Sequence, residues 1–174
     1  MSEKELADIV IKHFEKLGFI SYKEVLNSKK KNRADIVLTK DNLYTVIETK
    51  IGVGFKVVEQ AFKWSEYSHY RYICIPYSKK RNSRNFIYNV CQDYGIGVIE
   101  IGKRNEVNVI IESSFNESPI LPKLYEAQKE QTAGVKSTSY ITPFKVTCNK
   151  LYEYVKERGD VTFNSAVWAK LDFH

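Results

Sequence analysis

Between Arg33 and Lys50 the chain reads Arg-Ala-Asp-Ile-Val-Leu-Thr-Lys-Asp-Asn-Leu-Tyr-Thr-Val-Ile-Glu-Thr-Lys, and no other stretch constrains the fold as strongly. Two apolar runs rich in β-branched residues, Ala34 to Thr39 and Leu43 to Lys50, flank Lys40-Asp41-Asn42. Asp and Asn tolerate turn dihedrals and bond their own backbone, so the pattern predicts two strands joined by a tight turn. Ile36, Val37, Leu38, Val46 and Ile47 are apolar on both faces, as in strands covered on both sides. Three charges interrupt them: Asp35 near the start of the first strand, Glu48 and Lys50 at the end of the second. Side chains alternate faces along a strand, so Glu48 and Lys50 share one, roughly 7 Å apart at ~3.3 Å per residue. Partly buried carboxylates at such positions call for partners or a metal.

An Asp followed by Glu-x-Lys on the neighbouring strand suits magnesium-dependent phosphodiester chemistry. Two carboxylates offer hard oxygens to Mg²⁺, which keeps several waters and takes further ligands from a substrate phosphate. A nearby ammonium can orient the attacking water and offset transition-state charge. Glu-x-Lys alone would read as a surface pair on a solvated hairpin; Asp35 and the two-sided apolar pattern favour a site.

With Asp35 as the first acid and Glu48-Thr49-Lys50 as the (D/E)xK element, the chain resembles the PD-(D/E)xK nuclease superfamily over about residues 3 to 111. Ala34 stands where that pattern usually has Pro. The resemblance implies a restriction-endonuclease-like α/β fold with a mixed central sheet flanked by helices. It implies catalytic roles for Asp35, Glu48 and Lys50, with Mg²⁺ (or Mn²⁺ as substitute) on Asp35 and Glu48. An acid on the first helix often joins the metal site in that superfamily, which makes Glu5 a third candidate ligand, with Glu15 weaker. A Gln on the helix after the motif often contacts site or DNA, which nominates Gln60; Trp64 stands where an aromatic Tyr often follows. Glu24, on the first strand, is a candidate neighbour or an ordinary exposed residue.

At 174 residues and 43% hydrophobic, the chain has enough for one domain with a real core and a small appendage. No apolar run approaches the ~18–20 residues that span a membrane. The charged start, Met1 to Asp8, lacks a signal-peptide pattern. The three cysteines, Cys74, Cys91 and Cys148, are odd in number and widely spaced, reading as reduced thiols in a cytoplasmic protein. A net charge of +6 favours a polyanionic partner.

Taken in order, residues 3–17 predict an amphipathic helix (Leu6, Ile9, Val10, His13, Phe14, Leu17) with Ser2 and Glu5 as a capping box, stopped at Gly18. A strand follows over 19–26, then the hairpin. The loop before it holds Lys29, Lys30, Lys31 and Arg33, a solvated turn or a grip on phosphates. Ile51-Gly-Val-Gly54 lacks the third glycine of a dinucleotide fingerprint and the Lys-Ser/Thr of a P-loop, which excludes nucleotide binding by either motif. A helix is predicted over 55–69 and a buried strand over 70–76 ended by Pro76. Lys79, Lys80, Arg81 and Arg84 form a second basic cluster before a helix over 85–94. Strands over 96–101 and 107–111 complete the order α-β-β-β-α-β-α-β-β.

The expected organisation is a core over 1–112, a linker over 113–140 and a helical extension over 141–174, half of a helix-turn-helix or a lid or dimer contact. The leading function is a metal-dependent DNA nuclease, with DNA as partner, no membrane association, and a homodimer left open. The alternative is a non-catalytic DNA-binding module on the same fold. A third reading takes the acid pair as purely structural in an interaction protein.

Overall fold

The hairpin forms as β2 (Arg33–Lys40) and β3 (Leu43–Thr49). Lys40 pairs with Leu43, so Asp41 and Asn42 alone make the turn, both at positive φ (50° and 62°). That is the two-residue geometry whose twist matches its strands, and Asp and Asn enter the left-handed region at low cost.

The computed structural model describes residues 1–29, 31–79, 84–133 and 143–158. Around the hairpin the chain adds α1 (Glu3–Lys16), β1 (Ile20–Leu26), α2 (Phe55–Phe62), β4 (Tyr70–Pro76), α3 (Asn85–Asp93), β5 (Gly97–Ile101) and β6 (Val107–Ile111). The element order of this α/β unit is therefore α-β-β-β-α-β-α-β-β. The strands form one six-stranded mixed sheet in the order β1-β2-β3-β4-β5-β6. β1 to β3 run antiparallel, β3 to β5 parallel, and β6 returns antiparallel on β5. Each parallel step needs a crossover, and α2 and α3 supply the two.

Strand alternation divides the core. Leu6, Ala7, Val10 and Ile11 of α1 pack on Ile36, Leu38, Ile47, Cys74, Ile99 and Ile101. On the other face Val57, Val58 and Ala61 of α2 and Cys91 of α3 cover Ile73, Ile75 and Val98. A third cluster continues that face toward the hairpin, with Trp64 and Tyr67 over Val25, Ala34, Val37 and Val46. Gly97 has a steric reason: a Cβ there would lie 2.1 Å from Tyr72 Cε1. Cys74 and Cys91 are buried free thiols and Cys148 is exposed. His13 stands edge-on to Phe14, half-buried.

Two expectations change. The helix predicted to reach residue 69 ends at Phe62, and residues 63–67 are turns. The Trp64 and Ser65 amides bond three residues back, to Ala61 and Phe62, so the coil tightens and Trp64 drops into the core at 0% exposure. Residues 113–133, expected as a linker, wrap back on the sheet. Asn116 bonds His69, Ile120 bonds Glu66, Ser28 donates to the Leu121 carbonyl, and Ala133 is buried in the α1 cluster. Apolar anchors too sparse for a periodic signal hold this segment.

The chain divides into two compact units, Met1–Ser137 and Thr138–His174. Within the second, α4 (Pro143–Arg158) begins at the expected proline. The further helical segment expected near the C-terminus lies outside the described residues. Among the described residues no helix is long and apolar enough to cross a membrane.

Candidate functional site

Ile36 faces Ile47 across the β2–β3 ladder, and continuing that register one step puts Asp35 level with Glu48. In the same way Lys23↔Ile36 and Val25↔Ala34 put Glu24 level with Asp35. Three carboxylates thus stand at one level across three adjacent strands. Antiparallel neighbours lie ~4.5–5.5 Å apart at Cα, close enough for Asp35 to repel Glu48.

Glu48 is 1% exposed. Its Oε1 accepts a hydrogen bond from the Trp64 indole N–H at 3.1 Å. Its Oε2 is buried with no hydrogen-bond partner among the described residues. Desolvation, then the charge of Asp35, raise its pKa well above the usual carboxylate value, against the pull of the Trp64 bond. Asp35 is half-buried, and its Oδ2 accepts from both the Thr49 amide (2.8 Å) and the Thr49 hydroxyl (2.9 Å). Desolvation raises the Asp35 pKa too; the two Thr49 bonds and Lys50 pull it back, and Glu3 pushes it up. Its Oδ1 takes no hydrogen bond from the described residues. One oxygen of each acid is therefore held by protein and one is left over.

Lys50 follows the last residue of β3, its amide held by the Cys74 carbonyl at 2.9 Å. Its ammonium meets Glu3 Oε1 at 2.7 Å, both side chains half-buried. Glu3, which the sequence did not single out, is thus the α1 acid that reaches this edge. Glu5 closes the capping box: Ser2 N donates to Glu5 Oε2 (2.6 Å) and Glu5 N to Ser2 Oγ (3.2 Å). Two acids early in a helix cannot both face the sheet, and the cap claims Glu5. Gln60, half-buried on α2, makes no hydrogen bond to Asp35, Glu48 or Lys50 among the described residues. The direct contact comes four residues later, from Trp64, the aromatic standing where a Tyr often follows; it packs in the core and its indole donates to Glu48. Glu24, read as a site neighbour or an ordinary exposed strand residue, is buried at 5% with φ 57°, sits 2.8 Å from Arg33 Nε, and its charge bears on Glu48. A lone acid in an alternating strand gives no signal of left-handed backbone or of the partner beside it.

The basic clusters split by what faces them. Arg33 is paired with Glu24. Arg84 donates to the Pro76 carbonyl (2.9 Å) and to buried Glu100 Oε1 (3.3 Å). Both arginines are half-buried or more and tied to the fold. Lys29 is exposed, 3.9 Å from Glu66 and over the Tyr67 ring. Lys31 and Lys79 are exposed with no ion pair among the described residues, while Lys30, Lys80 and Arg81 lie outside those residues.

As cation donors, Asp35 Oδ1 and Glu48 Oε2 fit a hard divalent ion such as Mg²⁺, which binds through one or two carboxylates and otherwise water and phosphate. Among the described residues no group of three or more His, Cys, Asp or Glu is disposed to hold a metal. Neither protein families nor curated protein sequences gave a match to this chain.

Proposed function

We propose that this chain is a metal-dependent DNA nuclease of the PD-(D/E)xK kind, with the restriction-endonuclease-like version of its mixed sheet. The observation that carries the reading is the buried, unsatisfied Glu48 Oε2 beside Asp35, at the strand end that bears Lys50. Two like charges in a desolvated cleft are costly, and a structural role would call for a compensating donor that is not among the described residues.

Asp35 and Glu48 would hold Mg²⁺, or Mn²⁺ in its place, through Oδ1 and Oε2. When bound, the ion supplies a lowered pKa for coordinated water and charge stabilisation on the phosphate. Thr49 fixes the Asp35 carboxylate through two donors, and Trp64 fixes Glu48 through one. Lys50 orients the attacking water and offsets charge on the phosphate. Glu3 keeps the ammonium at the cleft between turnovers and leaves Lys50 to the substrate when phosphate arrives. Exposed Lys31 and Lys79, with Lys29, meet the polyanion, and the protein acts on DNA in the cytoplasm. Gln60 would assist from α2.

The test compares Lys50→Ala with Asp35→Ala and Glu48→Ala on single-stranded, duplex and branched DNA with Mg²⁺ or Mn²⁺. Lys50→Ala is expected to lose cleavage by about 10²-fold or more while keeping cation-dependent stabilisation. The acid variants are expected to lose both. Wild-type cleavage by Lys50→Ala removes Lys50 from the proposed chemistry, and no cation-dependent cleavage by the wild type sinks the nuclease reading and leaves the binding module on this fold.

A further inference from the structure

The seam between α2 and α3 carries aromatics that the fold does not use as core. Phe55, the first residue of α2, is 60% exposed, and Phe86, in the first turn of α3, is 66% exposed. Their rings touch edge to face, with centroids 6.0 Å apart. β3 and β4 are parallel, so the helices that follow them both start at the sheet edge where Glu48 and Lys50 end. Four residues separate Lys50 from Phe55, at most about 18 Å of chain from one to the other. At two of the four intervening positions the backbone is open: a Cβ at Gly52 or Gly54 would meet nothing within 4 Å. Lys56, next to Phe55, and Lys79, seven residues before Phe86, are both exposed.

We propose that Phe55 and Phe86 form a stacking platform for unpaired bases, so that the substrate is single-stranded DNA or a duplex with a single-stranded end. The position of the cut relative to the platform rests on the nuclease reading above. A phenyl face stacks on any base but carries no hydrogen-bonding group, so recognition is of strandedness, not sequence. In intact duplex the base faces are already occupied by one another, and only unpaired bases can use the rings. The lysines and the net charge of +6 supply the sequence-independent attraction to phosphate.

A second protein copy fits this surface poorly. A second pair, Phe62 and Tyr94 (47% and 54% exposed, centroids 5.3 Å apart), closes the far end of the seam. Four such rings expose on the order of 450 Å², given ~200 Å² per aromatic side chain, against ~800 Å² per partner in a stable interface.

The experiment measures binding of the full chain to a 20-nucleotide single strand carrying a fluorescent purine analogue, and to blunt duplex of the same sequence, in EDTA. Phe55→Ala/Phe86→Ala is expected to weaken single-strand binding by about ten- to a hundredfold, to remove the stacking quench of the analogue, and to leave duplex binding unchanged. Phe86→Trp is expected to keep the quench. Both rings are mostly exposed, so the double variant should melt with the wild type. Equal loss on both DNAs, no loss on either, or a wild-type dimer that the double variant abolishes would overturn the proposal. A Lys50 arm with Mg²⁺ separates the two readings. Lys50-dependent cleavage with no effect of the Phe substitutions sinks the platform alone. Phe-dependent single-strand binding without cleavage supports the platform and sinks the nuclease.

Discussion

Glu48 on β3 and Glu100 on β5 are both 1% exposed and both face the α2–α3 side of one sheet, yet their surroundings are opposite. Glu100 Oε1 receives the Arg84 guanidinium at 3.3 Å and the Tyr88 hydroxyl at 2.5 Å. Burial and the bond to Glu100 hold the Tyr88 phenol up at about 12, so it stays a donor at any working pH. Glu48 has one neutral donor, an acid beside it, and a buried oxygen with no partner among the described residues. Burying an acid is therefore no sign of function by itself; the compensation decides. Where the fold supplies a cation and a hydroxyl, the acid is part of the architecture. Where it supplies a second acid and commits the nearby Arg33 guanidinium to Glu24, the Glu48 pKa stays raised and the carboxyl takes its compensation from a proton or from a ligand.

The largest expected effect breaks the compensated side. Arg84→Ala removes a charged donor from buried Glu100, to which the Tyr88 hydroxyl still donates, and should cost about 1.5–3 kcal/mol, a fall in melting temperature of roughly 3–10 degrees. Metal response should be unchanged, because Arg84 serves α3 and β5 and not the hairpin. A melting curve that does not move would mean that Glu100 is as uncompensated as Glu48, and the contrast collapses.

Next comes the uncompensated side. Glu48→Gln keeps an oxygen for Trp64 but removes the charge, so in EDTA at pH 8 it should stabilise by roughly 1 kcal/mol. The pH dependence has a definite sign. The folded protein holds the Glu48 proton to higher pH than the unfolded chain does, so stability falls as pH rises from the ordinary glutamate value of 4.5 through the raised folded pKa. The gain from Gln should therefore be present above that window and vanish below about pH 4.5, where both states are protonated. With Mg²⁺ the order should invert, because only wild type gains from the cation. Chemical denaturation at several pH values, with and without Mg²⁺, reads all of this; a destabilised Gln variant at pH 8 would show that Glu48 has a partner in the fold after all.

The smallest effect is expected at Thr49. Thr49→Val removes the hydroxyl bond to Asp35 but keeps the amide bond, at about 1 kcal/mol. Asp35 should then titrate higher, since one of the contacts holding its pKa down is gone. Cation affinity should weaken a fewfold and recover at higher pH. Calorimetric titration with Mn²⁺ at two pH values checks this, and a pH-independent deficit would place Thr49 in packing and not in tuning Asp35.

Local pattern made most of the architecture legible. The Asp41-Asn42 turn, the two-sided apolar strands and the Ser2–Glu5 cap are properties of a few adjacent residues, and each fixed an element. Strand alternation also predicts Glu48 and Lys50 on one face, but Lys50 lies past the end of β3 and its ammonium goes to Glu3 of α1, while Glu48 goes to Trp64. What local pattern could not carry was the partner of each charge. Arg33 and Arg84 read as members of two basic clusters, and the sheet assigned them to Glu24 and Glu100. Glu5 and Glu3 are two residues apart, and helix geometry sent one to the cap and the other to Lys50. Trp64 looked like filler on a longer helix, and its indole N–H became the donor that holds Glu48. A charge is compensated by what lies across the sheet or on the next helix, often many residues away in the chain. Sequence therefore determined which groups are present and in which elements they lie, while the strand register and helix packing decided which acids were neutralised and which were left for a ligand.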